Sequence, residues 1–179
     1  MRDKWRVPMH CSYIITFISD DRPGLVETIA NTVRKCDGNW QESRLSQLGG
    51  KFAGLILVSV PQSGAAALVQ ALSDLNQGDI SVSVTETAKK TTSPDVRTVS
   101  LSIIGPDRSG IVQEVSRALA GHRINVIEMD SKVSSAPMSA EMLFEARISA
   151  SVPEILNVEQ LRNSLDSIAD QMTLEIEIA

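Results

Sequence analysis

One eight-residue stretch recurs in closely similar form in this chain, and the repetition constrains the fold more than any other feature. Ser19-Asp20-Asp21-Arg22-Pro23-Gly24-Leu25-Val26 is matched by Gly105-Pro106-Asp107-Arg108-Ser109-Gly110-Ile111-Val112. The correspondence runs on without a gap and sets Ile29, Val33 and Asn39 against Val115, Leu119 and Asn125. A self-match of this length at a fixed offset means that the two halves share one architecture. At 179 residues the chain has room for two small domains, each with its own core.

The order of elements can be read in each half. Tyr13 to Ser19 is rich in Ile and aromatic residues, as a buried strand requires. Leu25, Val26, Ile29 and Val33 then recur at helical spacing, and Gly38 offers a stop. Trp40 to Leu48 and Phe52 to Val60 read as strands joined by a Gly49-Gly50 hairpin turn. Ser63 is placed to cap a helix carrying Leu68, Leu72 and Leu75, and Ile80, Val82 and Val84 alternate as a half-exposed strand. The second half repeats this order. Val99, Leu101 and Ile103 alternate; Ile111, Val112, Val115 and Leu119 form a helical stripe. Asn125 to Ser134 and Glu141 to Ser149 make a hairpin with a longer turn around Ser135-Ala136-Pro137. Asn157 and Gln160 suggest a capping box for a helix through Leu161, Leu165 and Ile168, ahead of a last strand at Leu174, Ile176 and Ile178. The expected class is α+β, with βαββαβ twice over and antiparallel sheets covered by helices on one face. The polar Lys89-Lys90-Thr91-Thr92-Ser93-Pro94 run reads as a linker. The expected boundaries are therefore a tail at 1–9, a first domain at 10–88, a linker at 89–96 and a second domain at 97–179.

Composition narrows the function. A formal net charge of −5 and a sequence pI near 5.1 argue against direct DNA or RNA binding, which needs clustered cations to displace counterions. Three Phe, two Trp and one Tyr leave little for stacking on bases. No stretch has the pattern of a secretory signal or the length of a membrane span. Cys11 and Cys36 form neither a CxxC pair nor a disulfide framework, which fits a reducing cytoplasm. With two His in the chain and no ligand cluster at metal spacing, neither a metal nor a cofactor is expected.

The repeated turn is the feature with chemistry in it. Asp21, Arg22, Pro23 and Gly24 in the first half, and Asp107, Arg108 and Gly110 in the second, sit where a strand ends and a helix begins. The first amides of a helix lack intrahelical partners and carry the positive end of its dipole. Such a turn can hold a carboxylate at the amides around Leu25 and Ile111, while the Gly lets a ligand approach the backbone. The neighbouring Asp can accept hydrogen bonds from an ammonium group. Together these describe a grip on a free amino acid. The competing reading is that Asp21 and Asp107 cap their helices, as Asp commonly does.

The Asp-Arg-Pro-Gly turn, the helix after it, Gly38-Asn39 and the hairpin resemble the ACT domain, and both halves match. Asn39-Trp40-Gln41-Glu42-Ser43-Arg44-Leu45, Leu48-Gly49, Phe52 and the Lys-Thr-Thr linker are similar to the first domain of the glycine cleavage system transcriptional repressors. The resemblance implies two tandem ferredoxin-like domains that bind a small amino acid, glycine or serine, where domains pair. It also implies that Asn39 and Asn125 hold the effector, and that the partner is a transcription activator protein rather than DNA. Asp21 and Asp107 stand where some family members carry Asn, and Ser109 replaces Pro23, so the two loops need not be equivalent.

In a right-handed crossover the loop after strand one and the Asn opening strand two lie at opposite ends of a domain. One domain alone therefore cannot close both on one ligand. Two sites are expected between paired domains, Asp21 and Gly24 with Asn125, and Asp107 and Gly110 with Asn39, within a chain or between chains. An exposed second-strand edge is a natural pairing surface, and a homodimer is expected.

An amino-acid-responsive regulator is the leading expectation; a constitutive interaction module without a ligand is the alternative. No nucleophile–base pair, phosphate loop or carboxylate pair points to an enzyme, and the glycine-rich anion loop of an acylphosphatase is not evident. Glu42, Arg44 and Lys51 can pair across the first hairpin for about 0–1 kcal/mol, and Met129, Met138 and Met142 read as core or interface filler.

Overall fold

The structure, a computed structural model, describes residues 9–87, 96–136, 141–153 and 158–178. The chain divides into two compact units, Met1–Thr91 and Thr92–Ala179. In the first unit β1 (His10–Asp20) is followed by α1 (Leu25–Lys35), β2 (Asn39–Leu48), β3 (Lys51–Pro61), α2 (Ala65–Asp74) and β4 (Ile80–Thr87). The second unit repeats the order with β5 (Val96–Pro106), α3 (Ile111–Gly121), β6 (Asn125–Ser135), β7 (Met142–Pro153), α4 (Val158–Met172) and β8 (Glu175–Ile178). The sheets are ordered β2-β3-β1-β4 and β6-β7-β5-β8, with antiparallel neighbours throughout. The βαββαβ order expected of each half is the order observed.

Side-chain alternation explains why helices cover one face only. Tyr13, Ile15 and Phe17 of β1 are buried together with Ile56, Val58 and Val60 of β3, against Leu25, Ile29 and Val33 of α1 and Leu68 and Leu72 of α2. The residues between them, Ile14, Thr16 and Ile18, point the other way because successive side chains alternate across a strand. The second core repeats the scheme with Leu101, Ile103, Phe144, Ala146 and Ile148 under Ile111, Val115, Leu119, Leu161 and Leu165. Each fully buried Leu or Ile contributes about 1.5–3 kcal/mol. Gly49 and Gly50 both take positive φ, 58° and 78°, as a two-residue hairpin turn of the first-primed type demands.

Several local details differ from the sequence reading. Strand β1 extends to His10 and Asp20, beyond the Tyr13 to Ser19 core of the pattern. Ser63 does not cap α2: a 3₁₀ turn over Gln62–Gly64 leads into the helix, whose N-cap is Gly64 with no side-chain cap bond. Gly38 does not supply the left-handed stop of α1; Asp37 takes that conformation, with φ 56°. The Asp37 amide donates to the Arg34 carbonyl and the Gly38 amide to that of Val33, the paired bonds of a Schellman end. Arg123 ends α3 in the same way, with φ 58°; Thr173 after α4 also has φ 58°, and the Leu174 amide donates to the Ala169 carbonyl. Lys51 does not join Glu42 and Arg44; those two pair along β2 at 3.7 Å, while Lys51 reaches across to Asp20 on β1. Both hairpins carry a register shift at the same place, between Trp40 and Glu42 and between Val126 and Glu128. Met129 packs on the second core, whereas Met142 is exposed. The tail at 1–8, the 89–94 linker run, the turn at Pro137, Met138 and the Asn157 half of the capping box lie outside the described residues.

Two stability predictions follow from these details. Asn76 braces the outer edge of β4, donating to the Val82 carbonyl at 2.9 Å and accepting from the Val82 amide at 2.6 Å. Asn76→Ala leaves both backbone groups without that partner and is expected to cost about 1–3 kcal/mol in denaturant unfolding. Thr173 is β-branched and left-handed, an arrangement that costs an L-residue about 1–2 kcal/mol. Thr173→Gly is expected to raise the free energy of denaturant unfolding by up to about 1 kcal/mol once the added freedom of the unfolded chain is subtracted.

Candidate ligand-binding loops

Each repeated loop is held from below by the core and from the side by the hairpin. Leu25 and Ile111, the first residues of α1 and α3, are each 2% exposed, so their side chains anchor the helix starts and only their amides can face a ligand. The Asp21 amide donates to the Gly50 carbonyl at 3.1 Å, tying the first loop to the β2–β3 turn. Its counterpart Asp107 donates to Met142 at 2.8 Å. Asp21, Arg22, Pro23 and Gly24 are exposed, as are Asp107, Arg108 and Ser109, with Gly110 half-buried.

The two glycines are the true helix caps. Gly24 has φ 91° and ψ −3°, and Gly110 φ 100° and ψ −7°; neither helix has a side-chain cap bond. Asp21 and Asp107 therefore do not cap α1 and α3. The first helical bonds run from Thr28 to Gly24 and from Glu114 to Gly110, both at 2.9 Å. The amides before them have no acceptor within the helix and open at its positive end. A Cβ built on either glycine would meet nothing within 4 Å, so open space fronts both turns, and glycine is required by the backbone angle.

The second loop fronts a cavity of ≈560 Å³. Asp107, Arg108 and Gly110 form its loop side, Gln113 and Ser116 of α3 its floor, and Val133 and Phe144 its apolar wall. The wall comes from the β6–β7 hairpin, whose register sets Val133 against Phe144 and Phe144 against Gly105 at the end of β5. Gln113, Ser116, Val133 and Phe144 were not signalled by the repeated turn. Only the strand register brings the last two to it. In the first domain the equivalent register pairs Gln47 with Phe52 and Phe52 with Ser19, so the counterpart of Val133 is polar.

The electrostatics of the two loops also differ. Lys51 hydrogen-bonds Asp20 beside the first loop and, with its charge, holds that carboxyl below its ordinary range. At the same register the second domain has Pro106 facing Leu143. The first loop thus opens beside an ion pair and the second beside apolar side chains.

Within each domain the predicted Asn stands far from the loop. Asn39 is opposite Ser59, and Ser59 opposite Ser12, which lies eight residues before Asp20 on β1. At about 3.3 Å per residue this is roughly 26 Å. Asn125 is likewise level with Ser151 and Thr98, eight residues before Pro106. Both Asn are exposed at the start of their edge strands. Among the described residues no group of three or more His, Cys, Asp or Glu is arranged to hold a metal, and no helix is long and apolar enough to cross a membrane. Cys11 and Cys36 are free thiols.

Comparison with known proteins agrees with this architecture. The ACT domain family model matches twice, over residues 12–85 and 97–179. The glycine cleavage system transcriptional repressors of Escherichia coli (strain K12) and Shigella flexneri are each 26% identical over 157 residues, covering 85% of this chain and 82% of theirs. A crystal structure of an unknown protein from Galdieria sulphuraria superposes with TM-score 0.81 at 26% identity, covering 95% of this chain and 98% of that one. A candidate glycine cleavage system transcriptional repressor shares the fold with TM-score 0.69 at 22% identity, over 96% and 97% of the two chains. Two matched copies of one domain, spanning nearly the whole chain, make it a member of the ACT-domain family, related to the glycine cleavage system transcriptional repressors.

Proposed function

We propose that this protein is a non-enzymatic, cytoplasmic regulator that binds a small free amino acid, glycine or serine, at its two repeated loops. The observation that carries this reading is the duplicated left-handed glycine, which opens the unpaired amides of α1 and α3 onto free space beside Asp21 and Asp107. The amides take the ligand carboxylate and the Asp carboxylate its ammonium. By the family resemblance Asn39 and Asn125 also hold the effector; the register sets each roughly 26 Å from the loop of its own domain, so each would serve a loop of a paired domain, of the same chain or of another.

The output is transcriptional control of the glycine cleavage system, exerted on an activator protein. The relatives' names support the process, and the net charge of −5 supports a protein target over DNA. The mechanism is linkage: a ligand that binds one arrangement of paired domains more tightly shifts the population toward it, and the partner surface changes with it.

Melting the full chain against a panel of free amino acids tests the proposal. A ligand at about 100 times its Kd adds about 2.7 kcal/mol. In a chain of this size each kcal/mol raises Tm by about 2–4 °C. Glycine or serine is expected to shift Tm selectively, and Asp21→Ala or Asn125→Ala to reduce the shift. Indifference to every amino acid at millimolar concentration would instead identify a constitutive interaction module, for which Asp21 and Asp107 in place of Asn and Ser109 in place of Pro23 would be the traces of a lost site.

A further inference from the structure

The two open sheet faces, alike in topology, differ sharply in charge. On the first domain the outward residues of β1 and β4 between the strand ends are Ile14, Thr16 and Ile18 beside Ser81, Ser83 and Thr85. On β3 they include Leu55 and Leu57, opposite Arg44 and Glu42 of β2. Leu55 is 51% exposed and Ile18 48%. The Asp, Glu, Lys and Arg side chains of this face cancel in two ion pairs, Glu42 with Arg44 and Asp20 with Lys51. On the second domain the same face presents Glu128, Asp130 and Lys132 of β6, Glu145 and Arg147 of β7, and Glu175 and Glu177 of β8. That is five carboxylates against two cations.

We infer that the open face of the first sheet is a self-association surface whose occupant is the same face of a second copy of this chain. In a two-fold contact a surface meets itself, so it must be self-complementary. The acidic second face fails that requirement, because like charges brought together repel. The first face comes far closer to it: the charges its register sets there are already paired, Glu86 at the end of β4 is the further carboxylate bordering it, and apolar side chains stand among small Ser and Thr residues that let two sheets approach. A shallow hollow of ≈1110 Å³ lies on this face, lined by Ile14, Leu55 and Leu57 together with Glu42 and Arg44, with Glu86 at its border. Ile18 stands on the same face outside the hollow, as a knob for the hollow of the other copy. This contact is distinct from pairing along the β2 or β6 edge, and it requires no amino-acid ligand.

Sedimentation equilibrium of the full chain without added ligand tests it. The wild type is expected to have the mass of a dimer at micromolar concentration. Leu55→Asp and Ile18→Arg are each expected to weaken association at least tenfold with an unchanged circular dichroism spectrum, since both side chains are already half in solvent. Glu145→Lys, on the acidic face of the second sheet, is expected to leave the dimer intact. A monomeric wild type, or a dimer that survives both Leu55→Asp and Ile18→Arg, would overturn the assignment. Either result leaves the amino-acid reading to its own melting test.

Discussion

Burial of a single face of each sheet is the constraint from which the rest of each domain follows. Two helices can cover only one side of four strands, and the β2-β3-β1-β4 order puts β1 and β3 at the centre beneath them. Ile15, Ile29, Ile56, Leu68 and Leu72 disappear from solvent in one unit, as do Leu101, Ile103, Leu119, Leu161 and Leu165 in the other. A one-residue slip in any central strand would turn this set outward, so the register is fixed by the core and not by the turns. Once the register is fixed, so are the positions of the loops. Leu25 and Ile111 belong to the cores, and their burial holds the helix starts at the ends of β1 and β5.

The loops are therefore exposed in their polar atoms and rigid at their base. A helix that began one residue later would lose a buried Leu or Ile, about 1.5–3 kcal/mol, which exceeds what a typical side-chain cap contributes. This explains how the chain tolerates a glycine cap without a side-chain bond at both places. The unpaired amides are left available because core burial, and not capping, decides where α1 and α3 start.

Much of this was legible in the sequence, and what was not has a common cause. The repeat, the apolar run from Tyr13 to Ser19, the alternation at Ile80, Val82 and Val84 and the helical stripe of Leu25, Ile29 and Val33 carry hydrophobic pattern, and pattern survives into the fold because burial enforces it. The opposite-end placement of loop and Asn also followed from topology alone. Short polar signals did less well. Ser63 is a good cap residue that a 3₁₀ turn makes unnecessary, and Asp21 has the composition of a cap while glycine occupies the cap position. The helix ends at Asp37, Arg123 and Thr173 adopt a left-handed conformation that none of those residues prefers. There the hydrogen bonds to Val33, Leu119 and Ala169 outweigh the local cost. The cavity wall at Val133 and Phe144 depends on pairing across a hairpin whose turn length a single sequence does not specify.

The two halves have kept their cores and diverged on their surfaces, as expected if the core fixes the fold and the surface carries function. The divergence is not scattered. It separates a sheet face whose charges are paired from an acidic one, and a loop beside the Asp20–Lys51 pair from a loop beside Val133 and Phe144. In the first domain β1 links these features directly, since Ile18 lies on the open face two residues before Asp20 and three before the loop aspartate. A ligand seated at Asp21 and a second copy seated on Ile18 would bear on the same few residues at the end of one central strand. Linkage between them then requires only that the strand end differ slightly between the two states. Whatever assembly does to ligand affinity, the ligand must do to assembly by the same factor.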